Sequence, residues 1–432
     1  MRLLLCVFLY LVGVIQATNT TTTTSDSFKV PSPSFTTRTL WTIVSSSVLT
    51  LFACVYSAIH PNIPSPKHSP GGILLQRLGI TIMALIAPEL IATWAMRQWL
   101  SARQVTKQFE TSGYYDHTWT QTHSFFVLMG GFMLYVDGRP CHTLRPDYIL
   151  KLIREGYIDA PTLTAEQIHD RSKGDAISKG LVVLQVGWFV MQLITRVIYN
   201  LEITLLEVGT FAFAVLNFLT YAMWWNKPLN VEFPHPVYWK STESKPEDHI
   251  EYVCASTDVP LLIMSASVSV TKKKTAGLGI MPLIFRPILE LIGMPGIPIS
   301  RRLQVPTFDG SIKLKGWARF ALAQSAFVMA AVFGAIHVLA WNVAFPIYQE
   351  QVLWNLSGIA IVCAPSLGMY IYIWLFLCRP ALRWLSFPIC ILYVMLYVTA
   401  RAILLVLMFA TLDNLPPDAY KAVSWTSFVP HL

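Results

Sequence analysis

Residues 179–225, KGLVVLQVGWFVMQLITRVIYNLEITLLEVGTFAFAVLNFLTYAMWW, decide the class of this chain. Two apolar runs, 179–199 and 203–225, are joined by a few residues around Asn200-Leu201-Glu202. Each run has about the 20 residues that an α-helix, rising about 1.5 Å per residue, needs to cross about 30 Å of hydrocarbon. The pair reads as a membrane hairpin, yet it carries polar groups where lipid would penalise them. Gln185, Trp188, Gln192 and Arg196 recur at helical spacing on one face. Glu207, Thr210, Ala214, Asn217 and Tyr221 do the same on the returning helix.

The whole chain extends that pattern. With 54% hydrophobic and 13% charged residues over 432 positions, it is too apolar for a soluble domain of this size. The expected fold class is all-α, a polytopic helical transmembrane bundle of about seven or eight spans after an N-terminal signal peptide. Besides the hairpin, the expected spans are 40–59, 78–96, 119–136, 320–342, 354–378 and 386–411. The formal charge of +8 sits in loops without a nucleic-acid fold signature, so it reads as positive cytosolic loops and no nucleic acid is expected. The seven cysteines give no disulfide framework and no metal spacing.

Residues 1–17 have Arg2, an apolar core and Ile15-Gln16-Ala17 as a cleavage site, which is a signal-peptide pattern. Residues 18–38 form a Thr/Ser-rich lumenal tail, expected to be disordered, with a glycosylation sequon at Asn19. An N-terminal transmembrane region is expected over 39–225, interrupted by a cytosolic loop at 137–178 in which Thr164 and Gln167 make a capping box. Residues 226–319 read as a basic cytosolic loop with Lys272-Lys273-Lys274 and an interfacial piece at 280–298. A three-span region, 320–411, and a lumenal tail, 412–432, complete the chain.

Parity favours eight spans, because eight place the most basic loops in the cytosol whereas seven leave Lys272-Lys273-Lys274 lumenal. Arg97, Arg103 and Lys107, which eight spans would put in the lumen, pull the other way. The eighth span rests on 119–136, whose Gly130-Gly131 weakens a helix.

Each ionisable residue within a span is a candidate site residue. Arg196 and Glu207 lie at similar distances from the hairpin turn and are expected to pair. Depth then groups His123, Arg196, Glu207 and His337 into a lumen-facing polar cluster, with Glu89 paired to Arg401 beneath it. The competing reading is that these groups are structural ion pairs and satisfied histidines that fix the bundle. Pro88 beside Glu89 marks a broken helix, a feature that also lines transport sites. No zinc-protease, histidine-box, Walker or nucleophile-elbow pattern is present, so no cofactor or metal is assigned.

The stretches Phe52-Ala53-Cys54, His60-Pro61-Asn62-Ile63-Pro64, Ala87-Pro88-Glu89-Leu90, Thr122-His123-Ser124-Phe125-Phe126 through Gly130-Gly131-Phe132, Ser172-Lys173-Gly174-Asp175 and Trp224-Trp225-Asn226-Lys227-Pro228-Leu229 carry a resemblance. On them the chain resembles a family of uncharacterised multi-pass membrane proteins of filamentous and mushroom-forming fungi. The resemblance implies a fungal source and supplies no activity to transfer.

Three functions stay open. One is a membrane-embedded enzyme or accessory protein that handles a lipophilic metabolite of a secondary pathway, in an aromatic pocket with acid, His and Arg groups. The second is a transporter or channel that uses the intramembrane charges. The third is a receptor-like or structural protein whose basic loop touches anionic lipid or a protein partner. All three place the chain in the bilayer of an endomembrane or plasma membrane of the secretory pathway.

Overall fold

The computed structural model describes residues 35–65, 69–114, 118–172, 176–240, 303–305, 308, 310–312, 314, 316–342, 345, 347–378 and 385–423. The signal segment, Asn19, Lys272-Lys273-Lys274 and the interfacial piece 280–298 lie outside the described residues. The element order is β1 (Phe35–Thr37), α1 (Leu40–Ala58), α2 (Pro70–Ile86), α3 (Pro88–Glu110), α4 (Gln121–Leu128), β2 (Phe132–Val136), β3 (Arg139–Thr143), α5 (Pro146–Arg154), α6 (Ala165–Asp170), α7 (Ala176–Ile198), α8 (Leu205–Met223), β4 (His235–Tyr238), α9 (Trp317–Leu339), α10 (Tyr348–Cys378), α11 (Ser386–Ala410) and β5 (Lys421–Val423). Helix dominates. Among the described residues, three helices are long and apolar enough to cross a membrane: Leu205–Met223, Phe320–Leu339 and Ile391–Asn414. A fourth span results if the bent pair α2 and α3 is taken as one.

The chain divides into two compact units that interleave in sequence. The first comprises Met1–Ser57, Ile177–Phe218 and Phe327–Leu432; the second comprises Ala58–Ala176 and Leu219–Ala326.

In the first unit β1 pairs antiparallel with β5, Phe35 opposite Val423 and Thr37 opposite Lys421. The end of the N-terminal tail is therefore ordered, not disordered as expected for 18–38, because a C-terminal strand completes its backbone hydrogen bonds. Helices α1 and α7 are linked where Gln185 Nε2 donates to Thr50 Oγ1 at 3.1 Å. Helices α9 and α10 cross closely at two glycines: a Cβ on Gly334 would lie 2.5 Å from Val362 Cγ2 and 3.0 Å from the Gly358 carbonyl oxygen. Outward-facing side chains on α11 include Leu392, Met395, Leu396, Leu405, Val406 and Phe409, and α9 adds Phe327 and Val328. So much exposed apolar surface is what lipid, rather than water, tolerates.

The second unit corrects two expected spans. Residues 78–96 do not form one helix, because the chain turns by 112° between α2 and α3. Pro88 has no N–H to continue α2 and instead begins α3, while Ala87 leaves the helical region at φ −143° and ψ 75°. Residues 119–136 do not form one continuous helix either: α4 stops at Leu128, Gly130 takes φ +92°, and β2 follows. Asp137 and Gly138, both at positive φ, then turn β2 back into β3. Strand β4 joins β2 in parallel, giving the order β3-β2-β4. The capping box of Thr164 and Gln167 forms at the start of α6 as expected.

The α9–α10 crossing has a direct test. Gly334→Ala must push α10 backbone away and is expected to destabilise the protein by about 1–3 kcal/mol. Gly187→Ala on α7, which meets no atom within 4 Å, should be neutral or slightly stabilising. Denaturation of the two purified variants in detergent measures the contrast.

Candidate functional site

The expected Arg196–Glu207 pair resolves into a three-part clasp in the first unit. Glu207 pairs with Arg38, not Arg196: Arg38 Nη1 and Nη2 donate to its two carboxylate oxygens at 2.6 and 3.2 Å. Thr204 adds its backbone N–H and hydroxyl to Glu207 Oε2, both at 2.9 Å, and accepts in return from the Glu207 N–H at 3.2 Å. That is a capping box at the start of α8, legible as Thr204-x-x-Glu207. Arg196, at the end of α7, donates to carbonyls: Nε to Glu202 at 2.9 Å, Nη1 to Lys421 at 2.7 Å, and Nη2 to Glu202, Asp418 and Ala419. Arg38 Nε also donates to the Ala419 carbonyl at 2.7 Å. Glu207 and Arg196 are buried, Arg38 is largely so, and together the three fasten the two ends of the described chain to the α7–α8 turn.

A second constellation sits among the three membrane-length helices of this unit. Arg401 of α11 lies over the Phe333 ring of α9 at 4.1 Å and near the Phe213 ring of α8 at 5.2 Å. Phe213 meets Phe333 edge-on at 5.4 Å. His337, one turn after Phe333, packs against that ring at 4.7 Å and against Trp354 of α10 at 5.5 Å. Trp354 Nε1 donates to the His337 carbonyl at 2.9 Å. The imidazole is fully buried, and Nδ1 is 2.8 Å from the Phe333 carbonyl oxygen. Nε2 has no hydrogen-bond partner among the described residues.

His123 and Glu89 belong to the second unit, so the expected four-residue cluster and the Glu89–Arg401 pair are divided between the units. His123 caps α4: the Thr120 N–H donates to its Nδ1 at 3.1 Å, and its Nε2 donates to the Leu163 carbonyl at 2.8 Å. Burial holds this imidazole below the ordinary histidine value, although the Leu163 carbonyl works in the opposite direction. It is a satisfied histidine. Glu89 is buried in the first turn of α3, where a carboxylate suits the helix dipole, and its carbonyl accepts from Thr93 Oγ1 at 2.6 Å.

The second unit also buries a cation that the sequence reading passed over. Lys227 Nζ donates to the His60 carbonyl at 2.5 Å, to Gln98 Oε1 at 2.8 Å and to Asn62 Oδ1 at 3.5 Å. It lies 4.5 Å from the centre of the Trp224 ring and 5.0 Å from that of Trp94. Trp224 Nε1 shares the Gln98 oxygen at 3.0 Å. The turn is held from its other end by Ser172, whose Oγ accepts from the Leu229 N–H at 2.9 Å and donates to the Leu229 carbonyl at 3.1 Å. Residues from three of the motifs that carried the resemblance, His60 and Asn62, Ser172, and Trp224, Lys227 and Leu229, thus meet around one turn. The signal was present in the sequence as a lysine among tryptophans. Burial pushes the amine well below the ordinary lysine value, while three acceptors and two ring faces favour the ammonium form.

Among the described residues no three His, Cys, Asp or Glu side chains come together to hold a metal ion. Residues 4–260 match a family of unknown function, DUF8562. No curated protein and no solved structure matches the chain.

Lys227 makes stability depend on pH with a definite sign. Its folded value lies below its unfolded value, so between the two the unfolded chain binds the extra proton, and stability rises with pH up to the ordinary lysine range. Tryptophan fluorescence during denaturation at stepped pH should report that slope, and Lys227→Met should flatten it. Lys227→Ala, which leaves a cavity, is expected to cost about 2–4 kcal/mol.

Proposed function

The chain belongs to this family of unknown function, and we propose that it is a multi-pass protein of the secretory pathway that binds and handles a lipophilic small molecule within its membrane helices. One observation carries the reading: the three helices long enough to cross a membrane each contribute to one aromatic box that contains Arg401 and His337. A guanidinium and an imidazole at membrane depth are costly unless they serve packing or a ligand, and aromatic walls suit an apolar body. The transport alternative draws less support, because Glu207 and Arg196 are each fixed by several partners rather than free to exchange them.

The reading includes a topology. Antiparallel pairing of β1 with β5 brings both ends of the described chain together, which favours an even number of crossings between them. Six helices fit: α1, α7, α8, α9, α10 and α11. Helix α1 leaves the clasp, α7 returns to it, α8 leaves, and α11 returns through the 3-10 turns at 411–414 and 417–420. The depths agree, since Thr50 and Gln185, which hydrogen-bond, lie at similar sequence distances from Arg38 and Arg196. On this path 59–176, 224–316 and 379–385 all face the cytosol, including Arg97, Arg103, Lys107 and Lys272-Lys273-Lys274. The clasp-side turns, 199–204 and 340–347, contain no lysine or arginine. That distribution follows the positive-inside tendency better than seven or eight spans do. The clasp side is then lumenal, with Asn19 available for glycosylation, and the basic 226–319 region is placed to meet anionic lipid or a protein partner.

Two measurements test these statements. Glycosylation should occur at Asn19 and at a sequon added after Leu432, but not at one inserted at Asp137; ends on opposite sides would exclude six crossings. For the ligand, mass spectrometry of extracts from purified wild-type protein should show a lipophilic species enriched over the surrounding membrane. That species should fall several-fold with Arg401→Gln, and an extract matching bulk lipid in both samples would end the reading.

A further inference from the structure

The His337 box specifies which polar group its occupant must carry, and this step rests on the ligand-binding reading above. The Phe333 carbonyl oxygen, 2.8 Å from Nδ1, can only accept, so Nδ1 holds the ring proton. In the neutral ring Nε2 is then a bare lone pair. It is buried, without a partner among the described residues, in a side chain that is fully enclosed. A buried acceptor left unpaired costs about 1–3 kcal/mol, so the position calls for a donor.

Chemistry narrows the donor. An ammonium would bring a second cation close to Arg401, which already occupies the Phe333 ring that His337 touches. An ionised carboxylate, an ether or a ketone has no proton to give. An amide has an N–H but adds a carbonyl that must itself be satisfied. A hydroxyl donates one hydrogen bond, carries no charge and is small, so only the oxygen has to reach Nε2 while the hydrocarbon body stays in lipid. We propose that the ligand of this site is a lipophilic alcohol whose hydroxyl donates to His337 Nε2.

Full-length protein in detergent should be titrated with geranylgeraniol, its methyl ether and the corresponding aldehyde, and binding read by quenching of tryptophan fluorescence. The alcohol is expected to bind about tenfold more tightly than either analogue, since only it fills the acceptor. His337→Phe should bring the three to equal affinity, and His337→Gln, which keeps an acceptor, should restore part of the preference; elution as a single species establishes that each variant is folded. Equal binding of alcohol, ether and aldehyde to wild type would overturn the donor assignment and leave the ligand-binding reading standing, with water as the partner of Nε2. No binding of any of the three, together with an extract matching bulk lipid, would remove both.

Discussion

The carboxylate of Glu207 is the constraint on which the first unit depends. A charge this buried persists only if the fold surrounds it with donors, and here four arrive from two directions: two from Arg38 and two from Thr204. Meeting that demand fixes the entry of α8, orders the end of the N-terminal tail and, through Arg38 Nε and the Ala419 carbonyl, ties that tail to the C-terminal segment. Arg196 acts on the same segment from the other side, by donating to carbonyls rather than to a carboxylate. Separating these groups would strand two guanidinium ions and one carboxylate in a dry environment. The clasp is therefore a structural lock, and the polar stripes of the 179–225 hairpin are explained first by architecture.

Much of this was legible, and the failures have definite causes. Helical spacing found the apolar helices because period and length are local properties. It misjudged 119–136 by weighing hydropathy over the whole run, when Gly130 and the Asp137-Gly138 pair mark a helix end and a hairpin turn. Hydropathy alone runs 78–96 together as one span, although Pro88, with no N–H to continue α2, is where α3 begins. Arg38 was invisible as the partner of Glu207, because a pairing across 169 positions has no local signature. Depth arithmetic on 196 and 207 found the right neighbourhood and the wrong partner, since equal depth says nothing about which of several cations is nearer.

Lys227 shows the complementary solution to burying charge. The second unit surrounds an ammonium with a backbone carbonyl, two side-chain amides and two indole faces, all neutral. Neutral dipoles offset desolvation less completely than a counter-ion does, which is why burial still depresses the amine. The same arrangement explains why motifs so far apart in sequence belong together: His60 supplies a carbonyl, Asn62 and Gln98 supply amide oxygens, and Ser172 fixes the far end of the turn.

Set beside these four saturated charged groups, His337 is a titratable side chain with one ring nitrogen unpartnered among the described residues. Arg38, Arg196 and Glu207 meet partners through every polar atom the fold could leave exposed to apolar surroundings, and Lys227 uses all three of its donors. His337 commits one nitrogen to its own helix and leaves the other open. A histidine retained only for packing could be exchanged for phenylalanine among Phe213, Phe333 and Trp354 without loss of a hydrogen bond to another helix, because among the described residues its side chain makes none. Its one interhelical bond runs through its backbone carbonyl to Trp354. What distinguishes the imidazole from a hydrocarbon ring is therefore the Nε2 lone pair, which lies in apolar surroundings beside a cation and is the atom that the proposed hydroxyl would pair.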